Sequence, residues 1–164
     1  MNASPQPLFT AAQADFIRGP VSVLAASHDA QLTPNLSRAV GCTLDVEANN
    51  FVVFLAASRS AALLDDLRAN RRIAVVLSRP STHESLQIKA DDAEVMALPM
   101  SARTLVDDYH ARMIAETGAL GLSLAAVQAL FSVEPDDIVA VRCTPQAIFE
   151  QTPGPNAGNL LQAV

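Results

Sequence analysis

Hydrophobic and polar positions form their clearest pattern between residues 51 and 90. The segment opens with a continuous apolar run at 51–55, rich in β-branched and aromatic side chains, which is typical of a strand buried on both faces. Leucines at positions i, i+1 and i+4 then predict one apolar face of a short helix: Leu63, Leu64 and Leu67. A second apolar run at 73–77 predicts a returning strand, so the segment is a predicted strand–helix–strand unit.

The start of this helix carries the candidate chemistry. Ser60 is expected to be the N-cap, with its hydroxyl accepting from a backbone N–H one turn on, and Asn70 is expected to end the helix in the left-handed conformation. A helix N-terminus attracts anions, and Ser58, Arg59 and Ser60 add two hydroxyl donors and a guanidinium, so a phosphate is one candidate ligand. The alternative is that Ser60 only caps the helix and Arg59 is a solvated charge.

Strands are also expected on both sides of this unit. The predicted stretches are 21–26, 34–46, 86–90, 138–143 and 147–150, with 93–98 extending the pairing of the strand before it. Strands joined by hairpins and interrupted by helical excursions predict a small antiparallel barrel with helices on its outside. A Rossmann-type sheet is the alternative for the central unit, but neither G-x-G-x-x-G nor G-x-x-x-x-G-K-[ST] follows any strand.

Three further helices are predicted from their caps. Thr10 and Gln13 match a capping box at the start of the first helix. Ser101 is expected to cap a long helix that Gly118 ends, and Ser123 is expected to cap a shorter helix that runs through 131. The long helix carries an apolar stripe, which is interpreted as core or subunit contact: Leu105, Val106, Tyr109 and Met113.

Composition narrows the classes of function. A chain of 164 residues with 50% hydrophobic and 17% charged residues predicts one folded domain, with a loose arm at 1–8 and a Pro- and Gly-rich tail at 151–164 that begins without regular structure. A net charge of −6 with 11 Lys and Arg argues against nucleic acid as a partner. No apolar run approaches the ~20 residues of a membrane span, and no secretory signal is recognised, so a cytoplasmic location is expected.

Titratable side chains add no catalytic pattern. Cys42 and Cys143 fit neither a metal spacing nor a disulfide framework, and the histidines are scattered, so no metal site is expected. Asp-Asp pairs at 65–66, 91–92, 107–108 and 136–137 are interpreted as solvated charge at helix faces or turns.

The order of five segments carries a resemblance to a known family. The segments are VSVLAAS, PNLSRAV, FVVFLAASRS, DDLRANRRIAVVL and THESLQIKA. Over roughly residues 16–149 this order resembles the pyridoxamine 5′-phosphate oxidase-like family of FMN-binding split barrels. The resemblance implies a mainly β (α+β) fold, a small antiparallel split β-barrel with peripheral helices, with FMN as cofactor and a homodimer holding flavin at its interface.

The resemblance also implies which residues hold the cofactor. The phosphate and ribityl groups would contact the second strand and the start of the helix: Arg38, Ala57, Ser58, Arg59 and Ser60. Gln87 would bond the polar edge of the flavin ring, and Lys89, on the same strand face, would add positive charge near it. The resemblance thereby favours the phosphate interpretation of residues 58–60 over capping alone.

The chain departs from the family at several positions. Ser60 stands where the family has Lys, Ala90 is followed by Asp91 where the family often has Gly, and there is no Trp. The substrate-binding Arg and His residues of true pyridoxamine phosphate oxidases have no counterpart near the C-terminus. Two hypotheses follow: an FMN-dependent oxidoreductase, or a split barrel without redox activity that binds a small ligand or only dimerises. No catalytic side chain is predicted.

Overall fold

The computed structural model describes residues 8–164, with the backbone alone of Ser101. The strands in this part of the chain are β1 Ser22–His28, β2 Pro34–Asp45, β3 Asn50–Ala56, β4 Ile73–Ser78, β5 Ser85–Ala90, β6 Glu94–Ala97, β7 Ile138–Cys143, β8 Ala147–Glu150 and β9 Leu160–Ala163. The helices are α1 Ala11–Arg18, α2 Ala61–Asn70, α3 Arg103–Gly118 and α4 Leu124–Phe131, with short 3-10 turns at Ala57–Arg59, Met100–Ala102 and Pro135–Asp137. The predicted arm at 1–8 lies outside the described residues apart from Leu8, which is buried.

All these strands belong to one antiparallel sheet, in the order β6-β7-β3-β2-β1-β4-β5-β8-β9. The sheet encloses one large apolar core but does not close, because β6 and β9 are edge strands. The predicted fold class, a mainly β (α+β) split barrel with peripheral helices, is therefore confirmed.

Strand β2 joins the two halves of the sheet. Its first half pairs with β1 and its second half with β3, and a bulge between Ala39 and Gly41 separates the two. Gly41 has a φ of 156°, and a Cβ there would lie 3.1 Å from Cδ2 of Phe54 and 3.7 Å from Cβ of Tyr109. Glycine is needed at this position because β2, β3 and α3 approach one another closely.

The helices pack on different faces of the sheet. All three leucines of the predicted helix face lie in the main core, which confirms that prediction: Leu63, Leu64 and Leu67. A second, smaller cluster joins Val106 of α3 to Val40, Phe54 and Ala140. Because these strand residues alternate with main-core residues, α3 covers the outer face of β2, β3 and β7.

Several predicted helix boundaries are confirmed. The Thr10 hydroxyl accepts from the Gln13 N–H, and the Gln13 side chain accepts from the Thr10 N–H, so the capping box is present. Ser123 caps α4, because its Oγ accepts from the Ala126 N–H. Helix α3 ends at Gly118, as predicted.

The prediction that residues 93–98 extend the pairing of β5 is wrong, since β6 pairs with β7. Arg71 explains the change of direction. Its carbonyl oxygen accepts from the Ala93 N–H, and its guanidinium donates to the carbonyl oxygen of Asp92 at 3.0 Å. These bonds direct the chain away from β4 and towards the other half of the sheet.

Asn70 does not adopt the predicted left-handed conformation. The left-handed residue is Arg71, with a φ of 61°, one position later. The Asn70 side chain donates to the carbonyl oxygen of His28 and accepts from the Arg72 N–H. Its amide therefore ties the end of α2 to β1.

Helix α3 differs from prediction at its start and on its apolar face. A 3-10 turn precedes it, so the N-cap is Ala102 rather than Ser101. Leu105 is 42% exposed, whereas the other members of the predicted stripe are buried: Val106, Tyr109 and Met113. The buried residues recur at i, i+3 and i+7, and Leu105 lies at the edge of that face.

Asp66 is buried, so its interpretation as solvated charge is wrong. Its Oδ2 accepts hydrogen bonds from Ser27 Oγ at 2.6 Å and Asn35 Nδ2 at 2.8 Å. Ser27 and Asn35 face each other across β1 and β2, so the carboxylate ties α2 to both strands. In the tail, turns at 151–158 precede β9.

Candidate functional site

Ser60 occupies the N-cap position of α2, but its hydroxyl does not cap the helix. Its Oγ shares a 2.6 Å hydrogen bond with Oγ of Ser37 on β2, and both residues are buried. Ala57, the first residue of the preceding 3-10 turn, packs against the main core. The prediction of a capping bond is wrong, because the Ser60 hydroxyl bonds to the Ser37 hydroxyl of β2 and does not accept from a backbone N–H of α2.

Ser58 is held by Asp137. The Ser58 N–H donates to Oδ1 of Asp137 at 2.8 Å, and the Ser58 hydroxyl donates to Oδ2 at 2.5 Å. The bond from the Ser58 hydroxyl has the largest effect on the pKa of Asp137, and the bond from the Ser58 N–H has the next largest. Both hold this pKa below its usual value, and the Arg59 charge lowers it further. The Asp137 carboxylate therefore occupies the position predicted for an anionic ligand.

Arg59 contacts the same connecting segment. Its Nη2 donates to the carbonyl oxygen of Ser132 at 2.6 Å, just after α4. Ser58 and Arg59 together hold the segment 132–137 against the start of α2. To donate hydrogen bonds to a phosphate, as predicted, Ser58 and Arg59 would have to break their bonds to Asp137 and Ser132.

Arg38 lies on the other face of β2 from Ser37. Ser37 points into the buried interface with Ser60, whereas Arg38 is exposed, and its Nη1 donates to Ser22 Oγ at 2.7 Å. No carboxylate within residues 8–164 forms an ion pair with Arg38. The structure therefore does not bring Arg38 together with the side chains of residues 58–60.

Arg38 and Gln87 instead share one face of the sheet. Strand pairing links Arg38 to Leu24, Leu24 to Val76, Val76 to Gln87, and Gln87 to Phe149. Directly paired residues project to the same face, so these five side chains form a single line, here called the cross-sheet row. Arg38 and Gln87 are three strands apart, about 14 Å at the usual spacing of neighbouring strands. That separation suits the two ends of one extended ligand.

Gln87 and Lys89 lie on the same face of β5 because they are two positions apart. Gln87 is half-buried, and its Oε1 accepts from Nε2 of Gln151 at 3.3 Å. Lys89 is exposed, with its Nζ 4.6 Å from the centre of the Phe149 ring. An amide, a cation and an aromatic ring are thus adjacent on the outer face of the sheet.

Other titratable groups offer little chemistry. Burial raises the pKa of the Cys42 and Cys143 thiols to about 12, so neither is a thiolate at neutral pH. Burial lowers the pKa of His110 on α3. Within residues 8–164, no group of three His, Cys, Asp or Glu side chains is placed to bind a metal ion. No helix in the same part of the chain is both long and apolar enough to cross a membrane.

The sequence did not identify the residues that hydrogen-bond to the candidate side chains: Ser22, Ser37, Ser132, Asp137 and Gln151. The strand pattern could have indicated Ser22, because Ser22 lies two residues before Leu24 on a predicted strand and therefore on the same face. No pattern in the sequence indicated Asp137, because it is 79 residues from Ser58 and belongs to an Asp-Asp pair interpreted as solvated charge.

No protein-family model matches the sequence, and no curated protein sequence does. Solved structures match its fold. HupZ of Group A Streptococcus has a TM-score of 0.56 at 16% identity, over 92% of this chain and 99% of that chain. A pyridoxamine 5′-phosphate oxidase-related, FMN binding protein of Nostoc punctiforme has a TM-score of 0.51 at 14% identity, over 95% and 89%. A general stress protein 26-related protein of Clostridium acetobutylicum, of the pyridoxinephosphate oxidase family, has a TM-score of 0.52 at 10% identity, over 90% and 89%.

The likeness covers nearly the whole of each chain, but the sequence identities are low, so it concerns the fold. Two of the three names state a relationship to pyridoxamine or pyridoxine phosphate oxidases, as the order of sequence segments predicted. The resemblance is confirmed at that level: this chain has the split-barrel fold of the pyridoxamine 5′-phosphate oxidase-related proteins.

Proposed function

We propose that this chain is an FMN-dependent oxidoreductase that holds the flavin on the outer face of its sheet. The observation that carries the proposal is the cross-sheet row, in which Arg38 and Gln87 share one face with Leu24 and Val76 between them. A cation, an apolar floor and an amide suit a ligand with a phosphate, a flat ring and a polar ring edge. The Nostoc punctiforme protein, which has the same fold, is named as FMN binding.

The residues of this face fit a flavin. The Gln87 amide can both donate and accept, which matches the alternating polar groups at the ring edge. Lys89 adds a positive charge two residues away, and Arg38, which has no carboxylate partner in residues 8–164, is the cation for the phosphate. Bound FMN supplies the redox chemistry, while these residues bind it, orient it and exclude water.

We further propose that a second copy of the chain covers this face. The inner face of the central strands is buried core, whereas the outer face leaves apolar side chains half-buried or exposed: Leu24, Leu36, Val76 and Phe149. Contiguous apolar surface of this kind usually marks an interface. A homodimer would bury it and would enclose a ligand lying between Arg38 and Gln87.

A second candidate function is the binding of a small ligand without redox chemistry. One observation favours it: the donors at the start of α2, which the resemblance assigned to phosphate, are already satisfied by Asp137, Ser132 and Ser37. Under this hypothesis the sheet face binds a ligand or a second copy, but no flavin.

Anaerobic reduction of the protein distinguishes the two functions. Protein supplied with FMN is gel-filtered, and retained flavin is followed by its absorbance near ~450 nm while NADH or NADPH is added. The proposed function predicts that flavin stays with the protein and is bleached by one of the donors. The absence of retained flavin favours the second function, and retained flavin that no donor reduces contradicts the oxidoreductase.

A further inference from the structure

We propose that the cavity between α3, α4 and the segment 132–138 binds a small neutral molecule with an aromatic ring and a hydrogen-bonding group. The cavity has a volume of about 490 Å³, within the range of roughly 300–1,000 Å³ that small-molecule sites occupy. It shares no residue with the cross-sheet row. The site therefore goes beyond the proposed function, and either can fail without the other.

Apolar side chains from both helices and from β7 form much of the cavity wall: Val106, Ile114, Val127, Phe131 and Ile138. On α3, Val106 and Ile114 lie four residues before and after His110, so these three side chains follow one stripe of the helix. Transfer of apolar ligand surface from water to such a wall is favourable. The wall therefore selects a ligand that is mainly apolar.

His110 brings an unpartnered polar atom to this wall. It lines the cavity and is half-buried, and its Nε2 is buried with no hydrogen-bond partner among the described residues. Buried polar groups nearly always have a partner, because leaving one unpaired costs free energy. Burial lowers the pKa of His110, so its ring is neutral at neutral pH and has one donor and one acceptor nitrogen. A ligand hydroxyl or ring nitrogen in the cavity can supply the missing partner.

Two rings that border the cavity favour a planar ligand. The centres of the His110 and Phe131 rings are 5.6 Å apart, with 39° between their planes, and both residues line the cavity. The Phe131 ring also meets Tyr109 edge to face, with 5.6 Å between centres. Aromatic rings pack favourably at such separations, so a third ring can extend the cluster into the cavity.

The charged side chains of the lining disfavour an anion. Arg103 lines the cavity, but its Nη2 lies 2.9 Å from Oδ1 of Asp136, so its charge is already paired. Asp107, which also lines the cavity, would repel an anion. A cation would have to leave water for the apolar wall, which costs more than the transfer of a neutral group. The lining therefore favours a neutral ligand.

Phenol and benzoate test the site, because they have the same ring, and at neutral pH phenol is neutral whereas benzoate is an anion. Each is added to the full chain without flavin while NMR follows the ring-nitrogen signals of the three histidines. His28 and His83 do not line the cavity and serve as internal controls. We expect phenol to shift the His110 signals alone, with a dissociation constant below about 10 mM, and benzoate to bind at least about fivefold more weakly.

Two variants connect the binding to named residues. His110→Phe keeps a ring but removes both nitrogens, and Ile114→Phe adds a ring to the wall and so reduces the volume of the cavity. The affinity is measured on the backbone N–H signal of Phe131, which every variant retains. We expect each variant to bind phenol at least about fivefold more weakly than the wild type. Leu105→Phe is the matched control, because Leu105 lies on the same helix outside the cavity, and it should stay within about twofold of the wild type.

Three results would overturn the proposal: no saturable shift confined to His110 up to about 50 mM phenol, benzoate binding as tight as that of phenol, or unchanged phenol affinity in His110→Phe. Should His110→Phe not fold, the comparison of Ile114→Phe with Leu105→Phe decides. Loss of phenol affinity in Ile114→Phe alone upholds the proposal, and equal affinities in these two variants overturn it.

Discussion

The hydroxyl groups of Ser37 and Ser60 share a hydrogen bond of 2.6 Å, which links β2 to the start of α2. Ser60 is only 3% exposed, so this contact belongs to the interior rather than to an open helix end. The resemblance drawn from the sequence implies a Lys at this position. A long charged side chain cannot keep the contact with Ser37 and would have to reach solvent from a buried backbone position.

Ser60→Lys should therefore lower stability, although it restores the charge found in the family. We expect the free energy of unfolding to fall by about 2–4 kcal/mol, because Ser37 loses its partner and an ammonium starts from a buried position. Urea denaturation measures the change. Ser60→Ala, which removes only the hydrogen bond, should cost about 1 kcal/mol. A Ser60→Lys variant as stable as the wild type would show that position 60 is open to solvent.

Arg38→Ala should weaken FMN binding by roughly 1.5–3 kcal/mol, the range for hydrogen bonds to a charged group. Riboflavin binding should change much less, because Arg38 is assigned to the phosphate. The control is Arg142→Ala, which removes an exposed strand arginine paired with Glu94. Fluorescence titrations of the wild type and both variants with the two flavins measure the six affinities. An equal loss for FMN and riboflavin would mean that Arg38 does not contact the phosphate.

Local patterns predicted much of the fold. The strands β1 and β4, the Thr10 capping box and the Ser123 cap were all predicted from neighbours within four residues. The pairing of β6 could not be predicted in this way, because it depends on contacts of Arg71, which lies more than 20 residues earlier in the chain. Patterns of hydrophobicity specify which face of a strand is buried but not which strand is its neighbour.

The candidate site was predictable only in part. The order of segments singled out Arg38 and Gln87, and pairing across three strands places both on one face. The contact between Ser58 and Asp137 joins residues 79 apart, and nothing in either local sequence indicates it. Such long-range polar contacts depend on how α4 and β7 are positioned, which no local pattern specifies.

Leu36→Glu should disrupt the proposed homodimer. Leu36 is 66% exposed on the outer face of β2, two residues before Arg38, and a carboxylate there would be buried against the second copy. Light scattering should show the wild type at twice the 17.3 kDa of the chain and the variant shifted towards the monomer. Leu105→Glu is the control, since Leu105 is 42% exposed on α3. A monomeric wild type at micromolar concentration would exclude this assembly.

Asp66 should make stability depend on pH in the acid range. Hydrogen bonds from Ser27 and then Asn35 lower the pKa of Asp66 below its unfolded value of about 3.9. Its contribution is therefore fully present above that value and is lost as the pH falls through the lower folded pKa. Urea midpoints between pH 6 and pH 3 should fall less steeply for Asp66→Asn than for the wild type.

Asp65→Asn is the matched control for that series, because Asp65 is the adjacent, largely exposed residue and pairs with Arg68. Its acid dependence should follow that of the wild type. Parallel curves for the wild type and Asp66→Asn would mean that the Ser27 and Asn35 bonds do not favour the ionised carboxylate.

Titration of the flavin-free protein with FMN tests most directly whether the outer face of the sheet is a flavin site. The wild type should bind one FMN per chain with a dissociation constant in the micromolar range, and Gln87→Leu should bind about tenfold or more weakly because the ring edge loses its amide partner. Gln13→Leu on α1 is the control and should bind as the wild type does. No saturable binding up to about 1 mM FMN, or equal affinity in Gln87→Leu and the wild type, would contradict a flavin site on this face.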